Sequence, residues 1–271
     1  MTNTKYSYGI ALVRFNKQVP EVLMVKKRYT YHFFDFVMGN YKNTSDDDLR
    51  DLFGGMTFQE KLDVLYQNYN LLWYRIWLFW PLCSKDFDEC CSVFGLTNSK
   101  NMKSRYYKNK EKYDCVMRNA ERVRLLINKS ANAELIWEIP KGRKNDMEQC
   151  VNTALREFEE ETTVSISNIH VLWNVKPIVE TFNDKGVRYV NTYYLAMHHV
   201  HDGAKSLKPV FYAVETSEKA EIEDIRWMNN ATILGLNLEV GQKKRLVELV
   251  SCIFSIIKST IKLKTSFSVA P

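Results

Sequence analysis

The strand-like pattern of this chain stops after two runs and resumes only about a hundred residues later. Residues 8–15 and 21–26 are rich in β-branched and aromatic side chains and predict two neighbouring strands. From about residue 30 to about residue 130, apolar residues recur at helical spacing instead. This order predicts a mixed α/β unit interrupted, after its second strand, by a large helical insertion. Beyond the insertion we expect strands at residues 134–140, 169–175, 189–197, 210–214 and 222–227 and helices at residues 146–162 and 242–262.

The composition is that of an ordinary globular protein, with 45% apolar and 26% charged residues and a net charge of +6 that suits an anionic partner. Apolar residues 71–83 and 247–257 are too short to cross a bilayer, and both contain charged residues. The six cysteines form no CxxC pair, which favours reduced thiols. We therefore expect a protein without a membrane span or leader, located in the cytoplasm.

Residues 142–164 (GRKNDMEQCVNTALREFEEETTV) carry the clearest chemical pattern. Asp146 can cap a helix, with Gln149 as the reciprocal partner three residues later. Glu157, Glu160 and Glu161 then fall at i, i+3 and i+4 on one face. An adjoining apolar face is formed by Val151, Ala154, Leu155 and Phe158.

Three carboxylates on one helix face repel each other unless a cation lies among them. Mg²⁺ and Mn²⁺ prefer such oxygen ligands, and either ion can neutralise a diphosphate and lower the pKa of an attacking water. Glu157, Glu160 and Glu161 are thus candidate metal ligands. The alternative is a solvated acidic helix face.

The same segment resembles the Nudix box, in which eight positions agree. These are Gly142, Glu148, Arg156, Glu157, Phe158, Glu160, Glu161 and Val164. The resemblance implies a metal-dependent pyrophosphohydrolase with a Nudix α/β/α sandwich and a large inserted helical domain. One position departs, because Thr163 replaces a glycine that leaves the helix with positive φ. We therefore expect a different exit turn there.

The resemblance also implies roles for individual residues. Glu157, Glu160 and Glu161 correspond to metal ligands, and one of the last two helps to activate water. The carbonyl of Lys141 corresponds to a further ligand, and its ammonium group can hold phosphate. Gly142, Glu148 and Arg156 correspond to residues that support the site.

One more acidic residue is expected outside the box. Residues 221–227 (EIEDIRW) resemble the late segment that supplies a ligand or general base in decapping relatives. Glu221 is our candidate for this role. Glu223 and a purely solvated loop are the alternatives.

The box indicates a diphosphate linkage but does not identify the attached group. Residues 137–144 (WEIPKGRK) resemble both mRNA-decapping enzymes and diphosphoinositol polyphosphate phosphohydrolases. The whole chain, including LWYRIW and LREFEEET, resembles decapping Nudix enzymes of large cytoplasmic DNA viruses, of the African swine fever virus type. The resemblance implies cleavage of capped mRNA, in the host cytoplasm if the protein is viral. Hydrolysis of diphosphoinositol polyphosphates is the alternative, and an RNA-binding module with a vestigial site is a remote one.

The predicted insertion carries a basic run that suits single-stranded RNA. Between residues 100 and 129 there are ten Lys or Arg against three acidic residues, with Tyr106, Tyr107 and Tyr113 available to stack on bases. A solvated basic helix face is the alternative. The candidate RNA-binding residues are Lys103, Arg105, Lys108, Lys110, Lys112, Arg118 and Arg122.

These patterns predict a Nudix domain in two segments, residues 1–29 and 131–271, separated by a helical RNA-binding domain at residues 30–130. The oligomeric state stays open, with a homodimer among the alternatives.

Overall fold

The computed structural model describes residues 3–77, 81–96, 100–184, 186–198, 221–238 and 240–267, with side chains described as far as residue 260. The chain divides into two compact units. One takes in the described residues of 1–26, 137–212 and 222–271, and the other takes in residues 27–136 together with Glu221. None of the helices in these described ranges is long and apolar enough to cross a membrane.

A mixed sheet forms the centre of the first unit. In the described part of the chain it has eight strands, with β3, β2, β1, β7 and β5 in that order. Strands β1 and β7 run parallel, whereas β4 pairs with β1 and β6 pairs with β7 in antiparallel register. The strands are β1 (Asn3–Asn16), β2 (Val19–Lys27), β3 (Trp137–Glu138), β4 (Lys141–Gly142), β5 (Ile169–Val171), β6 (Ile178–Asp184), β7 (Val187–His198) and β8 (Ile222–Met228).

Alternate residues of β1 face opposite sides of this sheet and enter two separate cores. Ile10 and Leu12 pack with Phe158 of helix α8 (Cys150–Thr162). Ala11 and Val13 pack instead against the side of helices α9 (Asn230–Leu234) and α10 (Val240–Phe267). Helices therefore cover both faces, which is the expected α/β/α sandwich.

The second unit is helical in its described residues and has its own core of buried aromatic and aliphatic side chains. Glu60, which is fully buried, joins two helix starts there. Its carboxylate accepts hydrogen bonds from Thr30 N and Thr57 N, at 2.7 and 2.8 Å, and completes the capping box of α3. The helices are α1 (Tyr31–Val37), α2 (Asp46–Gly54), α3 (Phe58–Tyr66), α4 (Tyr69–Ile76), α5 (Phe87–Phe94), α6 (Lys100–Met117) and α7 (Ala120–Asn128).

Several element boundaries differ from the sequence-based expectation. Residues 134–140 yield only the short strand β3, and the strand expected at residues 169–175 ends at Val171. Strand β6 was not predicted at all. The strand expected at residues 210–214 lies outside the described residues.

Candidate active site

Helix α8 begins at Cys150, so the prediction that Asp146 caps it is wrong. Its N-cap residue, Gln149, makes no side-chain capping bond. A turn precedes the helix instead, with Met147 at φ +64°. Glu148 closes this turn, because its Oε2 accepts from Asn145 N at 3.1 Å and from the Thr153 hydroxyl at 2.9 Å. Because Met147 has a positive φ, the right-handed helix cannot extend back through this residue.

Glu148 and Arg156 form the expected brace between this turn and the helix. Arg156 Nε donates to Glu148 Oε1 at 3.0 Å, and Nη2 donates to the carbonyl of Arg143 at 3.1 Å. The pKa of Glu148 is lowered to about 2, mainly by the hydrogen bond from the Arg156 guanidinium. The Asn145 N–H and the Thr153 hydroxyl make smaller contributions in the same direction. The glutamate therefore stays ionised at any working pH, and the turn is tied to the first turns of α8.

The three candidate metal ligands lie on α8 beside strand β4. Arg156 Nη1 is 2.8 Å from both Glu157 Oε1 and Glu160 Oε2, whereas Glu161 Oε2 accepts from Lys141 N at 3.0 Å. Lys141 Nζ pairs with Glu138 Oε2 at 2.5 Å. The Arg156 guanidinium and the Lys141 N–H thus contact all three carboxylates between them.

Gly142 leaves room for the carboxylate of Glu157 beside β4. A Cβ built there would lie 1.9 Å from Cδ of Glu157 and within 2.3 Å of both its carboxylate oxygens. Any side chain would therefore push Glu157 away from β4. This contact explains the first box glycine without any special backbone dihedral.

The donor set suits a hard divalent cation, because it consists of carboxylate oxygens next to a strand backbone. Across the described ranges, no three His, Cys, Asp or Glu side chains already surround one point as a metal cage. Glu157 and Glu160 turn toward Arg156, and Glu161 turns toward Lys141. A cation would compete with Arg156 for the first two carboxylates.

The exit of α8 contradicts the expectation of a different turn. Thr163 itself adopts the left-handed conformation, with φ 60° and ψ 9°, and its N–H donates to the Glu159 carbonyl at 2.8 Å. The glycine-type exit is therefore retained in spite of the β-branched side chain. Val164 can then enter the core beneath the helix.

Glu221 belongs to the helical unit. Its side chain is 60% exposed and lies 3.6 Å from Lys27 Nζ, and its carbonyl accepts from Arg28 N at 2.8 Å. Glu223 belongs to the sheet unit and pairs with Lys26 at 3.1 Å. The structure thus brings the box residues together, whereas the role of Glu221 stays a prediction.

The basic run of the insertion contains residues with structural contacts as well as exposed ones. Lys112 Nζ donates to the carbonyls of Gly39 and Tyr41, at 2.7 and 3.2 Å. Arg122 pairs with Asp46 at 2.7 Å. These two side chains hold the fold of the helical unit, which weakens the prediction that they contact RNA.

The remaining candidates of the run are Lys103, Arg105, Lys108, Lys110 and Arg118. Lys103 and Lys110 pair with Asp88 and Asp114, and the Arg105 guanidinium lies 5.7 Å from the centre of the Trp77 ring. Lys108 and Arg118 are exposed on α6 and on the turn after it.

The expectation that tyrosines of this run stack on bases is wrong for Tyr106 and Tyr113. Tyr106 is fully buried, and Tyr113 is 7% exposed in the core of the helical unit. Tyr107 is half-buried, and its hydroxyl donates to Asp88 at 2.8 Å. The interleaved aromatic residues thus serve packing, because they fall on the apolar face of α6.

Comparison with known proteins decides the family. The NUDIX domain matches residues 108–249, which is more than half of the 271 residues. The chain belongs to the Nudix family. The expected fold class and enzyme class, a Nudix pyrophosphohydrolase, are thereby confirmed, and dependence on a divalent metal ion is general in this family. The match starts within α6 and omits β1 and β2, which the helical insertion separates from the box.

The Nudix chain is also similar to individual curated proteins along nearly its whole length. The mRNA-decapping protein g5R of African swine fever virus is 29% identical over 267 residues, which cover 96% of this chain and 98% of that protein. The same protein of a Kenyan pig isolate is 28% identical with equal coverage. Among solved structures, an Ap4A hydrolase from C. elegans is 10% identical with a TM-score of 0.40 and covers 94% of this chain and 98% of its own.

Proposed function

We propose that this Nudix enzyme removes the 5′ cap of mRNA, releasing a methylated guanosine diphosphate and RNA with a 5′-monophosphate. One observation carries the proposal: the viral proteins named as decapping enzymes align with 96% of this chain, so the similarity includes the helical insertion as well as the box. The proposed site of action is the cytoplasm, which is that of the host if the protein is viral. A diphosphoinositol polyphosphate stays the alternative substrate, and the oligomeric state stays open, with a homodimer among the alternatives.

Within this function, Glu157, Glu160, Glu161 and the Lys141 carbonyl would hold a magnesium or manganese ion. Such an ion neutralises diphosphate charge and lowers the pKa of the attacking water. Glu148 and Arg156 keep α8 against the preceding turn, so the carboxylates stay beside β4.

Phosphate binding would fall to the Lys141 ammonium group, which is already on this strand. A water oxygen attacks a cap phosphorus, the bond from that phosphorus to the bridging oxygen breaks, and the attacking water loses a proton. Glu221 is the proposed acceptor of that proton or a further ligand, on the strength of the sequence resemblance.

The first test compares three substrates with the purified chain, each with Mg²⁺ and with Mn²⁺: capped RNA, free cap dinucleotide and a diphosphoinositol polyphosphate. We expect release of methylated guanosine diphosphate from capped RNA. Glu161→Gln should lower this turnover by about 10²- to 10⁴-fold, because it removes a metal ligand. Glu159→Gln is the matched control, since Glu159 is an exposed glutamate of the same helix. If capped RNA stays intact while the inositol substrate is hydrolysed, the decapping assignment is wrong.

A further inference from the structure

A row of polar and aromatic side chains crosses the sheet face that α10 partly covers. Tyr189, Asn191 and Tyr193 alternate along β7 and so point to one face. Tyr193 belongs to the core on the α10 side, which identifies that face. Their partners on β6 are Phe182, opposite Tyr189, and Glu180, opposite Asn191. We call these five residues the Glu180 strip.

Glu180 is the only acidic residue of the strip, and it is held in one orientation. Its Oε2 accepts from Asn191 Nδ2 at 2.9 Å and from the Tyr193 hydroxyl at 3.3 Å. Both donors are buried, at 4% and 2% exposure, whereas Glu180 is half-buried. In the described residues no donor reaches its other oxygen, Oε1. A fixed carboxylate thus presents one oxygen with unused hydrogen-bonding capacity.

The next cross-strand pair of the strip consists of two stacked aromatic rings. Phe182 and Tyr189 lie 5.1 Å apart at an interplanar angle of 11°. The Arg245 guanidinium lies over Phe182, 4.6 Å from the ring centre. A planar cation therefore already occupies a ring face two residues along β6 from Glu180, as expected from the attraction between cations and aromatic rings.

One residue of the candidate active site, Lys141, also faces the strip's side of the sheet. Gly9 pairs with Lys141 on one side and with Tyr193 on the other. A Cβ on Gly9 would meet the carbonyl oxygen of Pro140 at 2.2 Å and Cβ of Lys141 at 2.8 Å. The side chain of Lys141 thus lies on the same sheet face as the strip. A ligand along this face would meet Lys141, then Tyr193 and Asn191, and then Glu180.

These observations match one base in particular. The Watson–Crick edge of guanine offers two adjacent donors, N1–H and the N2 amino group, and the two lone pairs of Glu180 Oε1 can accept from both. Adenine offers an acceptor where guanine has N1–H, and a carboxylate would repel it. Methylation of guanine at N7 adds a positive charge to a planar ring, so the methylated base can replace Arg245 over Phe182.

We propose that the Glu180 strip binds the methylated guanine of the cap, with Glu180 accepting from its Watson–Crick edge and Phe182 stacking on its ring. Glu180 then determines the choice of guanine, and Phe182 determines the preference for the methylated form. This inference rests on the proposed decapping function. It adds a specificity site that is separate from the carboxylates of α8.

The test measures equilibrium binding of 7-methyl-GDP, GDP and ADP to the full chain, without turnover. Wild type should bind 7-methyl-GDP most tightly and ADP most weakly. Glu180→Gln should weaken 7-methyl-GDP binding by about 10²-fold, because two charge-assisted hydrogen bonds are lost. It should not weaken ADP binding and should strengthen it if anything, because the carboxylate that repels the adenine acceptor is removed. Phe182→Leu should reduce the preference for 7-methyl-GDP over GDP by about 10-fold, because the ring face is lost.

Asp184→Asn is the control, since Asp184 is an exposed carboxylate at the end of the same strand. Glutamine at position 180 keeps an oxygen for Asn191 and Tyr193, so thermal unfolding should change little. If Glu180→Gln binds 7-methyl-GDP as wild type does, or if wild type prefers no guanine nucleotide, the inference is wrong while decapping can stand. If wild type binds 7-methyl-GDP selectively but leaves capped RNA intact, the proposed function fails and the binding site stands.

Discussion

Thr163 shows how far a single residue can depart from a family pattern without changing the backbone. It occupies the left-handed region at φ 60°, where a β-branched side chain is strained. The hydrogen bond from its N–H to Glu159 and the burial of Val164 hold the turn in place. Neighbouring contacts therefore offset the strain. A substitution that relieves the strain should raise the free energy of unfolding.

Thr163→Gly should raise the free energy of unfolding by about 1 kcal/mol, because relief of left-handed strain exceeds the added flexibility of the unfolded chain. Chemical denaturation of the two proteins measures the difference. Thr163→Ala is the control, since it removes the branched side chain but keeps the Cβ. A glycine variant no more stable than the alanine variant would show that the turn carries no left-handed strain.

At the scale of elements, α6 separates its lysines into two groups. Lys112 is tied to the carbonyls of Gly39 and Tyr41 and helps to hold the helical unit together. Lys108, one turn earlier, is exposed. An RNA-binding surface on this helix must therefore use its exposed positions. Reversing the charge at Lys112 would instead disturb the folding of the helical unit.

Reversing Lys108 and Arg118 to Glu should flatten the salt dependence of binding to uncapped single-stranded RNA. Each phosphate contact contributes about −0.7 to the log–log slope, so two lost contacts should change it by about 1.4. KM for capped RNA should rise, whereas hydrolysis of free cap dinucleotide should barely change. Lys176→Glu with Lys258→Glu is the control, because it makes the same charge change at exposed positions of the other unit. Equal slopes in both double variants would contradict an RNA surface on α6.

At the scale of the whole molecule, the late acidic segment is divided between the two units. Glu221 belongs to the helical unit, whereas Glu223 lies on β8 of the sheet unit. Both glutamates pair with lysines near the end of β2, and neither side chain is buried. Only a comparison of the two can assign the predicted role.

Glu221→Gln should lower kcat for capped RNA by about 10²-fold or more, because a general base or metal ligand acts mainly in the transition state. Binding of uncapped RNA should change little. Glu223→Gln, measured in parallel, is the matched comparison. A larger loss of kcat in that variant would assign the role of base or ligand to Glu223 instead of Glu221.

The box carboxylates could be predicted from the sequence because their relation is local. Positions i, i+3 and i+4 of any helix share a face, whatever the rest of the chain does. Glu157, Glu160 and Glu161 follow that rule on α8. The two β-rich runs and the helical insertion could also be predicted, because their apolar residues recur at different spacings.

What the sequence left open depends on contacts between distant segments. Lys108 and Lys112 are the same residue type on one helix, and only the backbone of Gly39 and Tyr41 makes the second structural. Strand β6 and the role of Glu180 emerge only when β7 supplies the opposing donors, Asn191 and Tyr193. Local spacing thus determined the carboxylates of α8. The tertiary structure decided which charges are exposed and which side chains share a sheet face, because both follow from long-range strand pairing and burial.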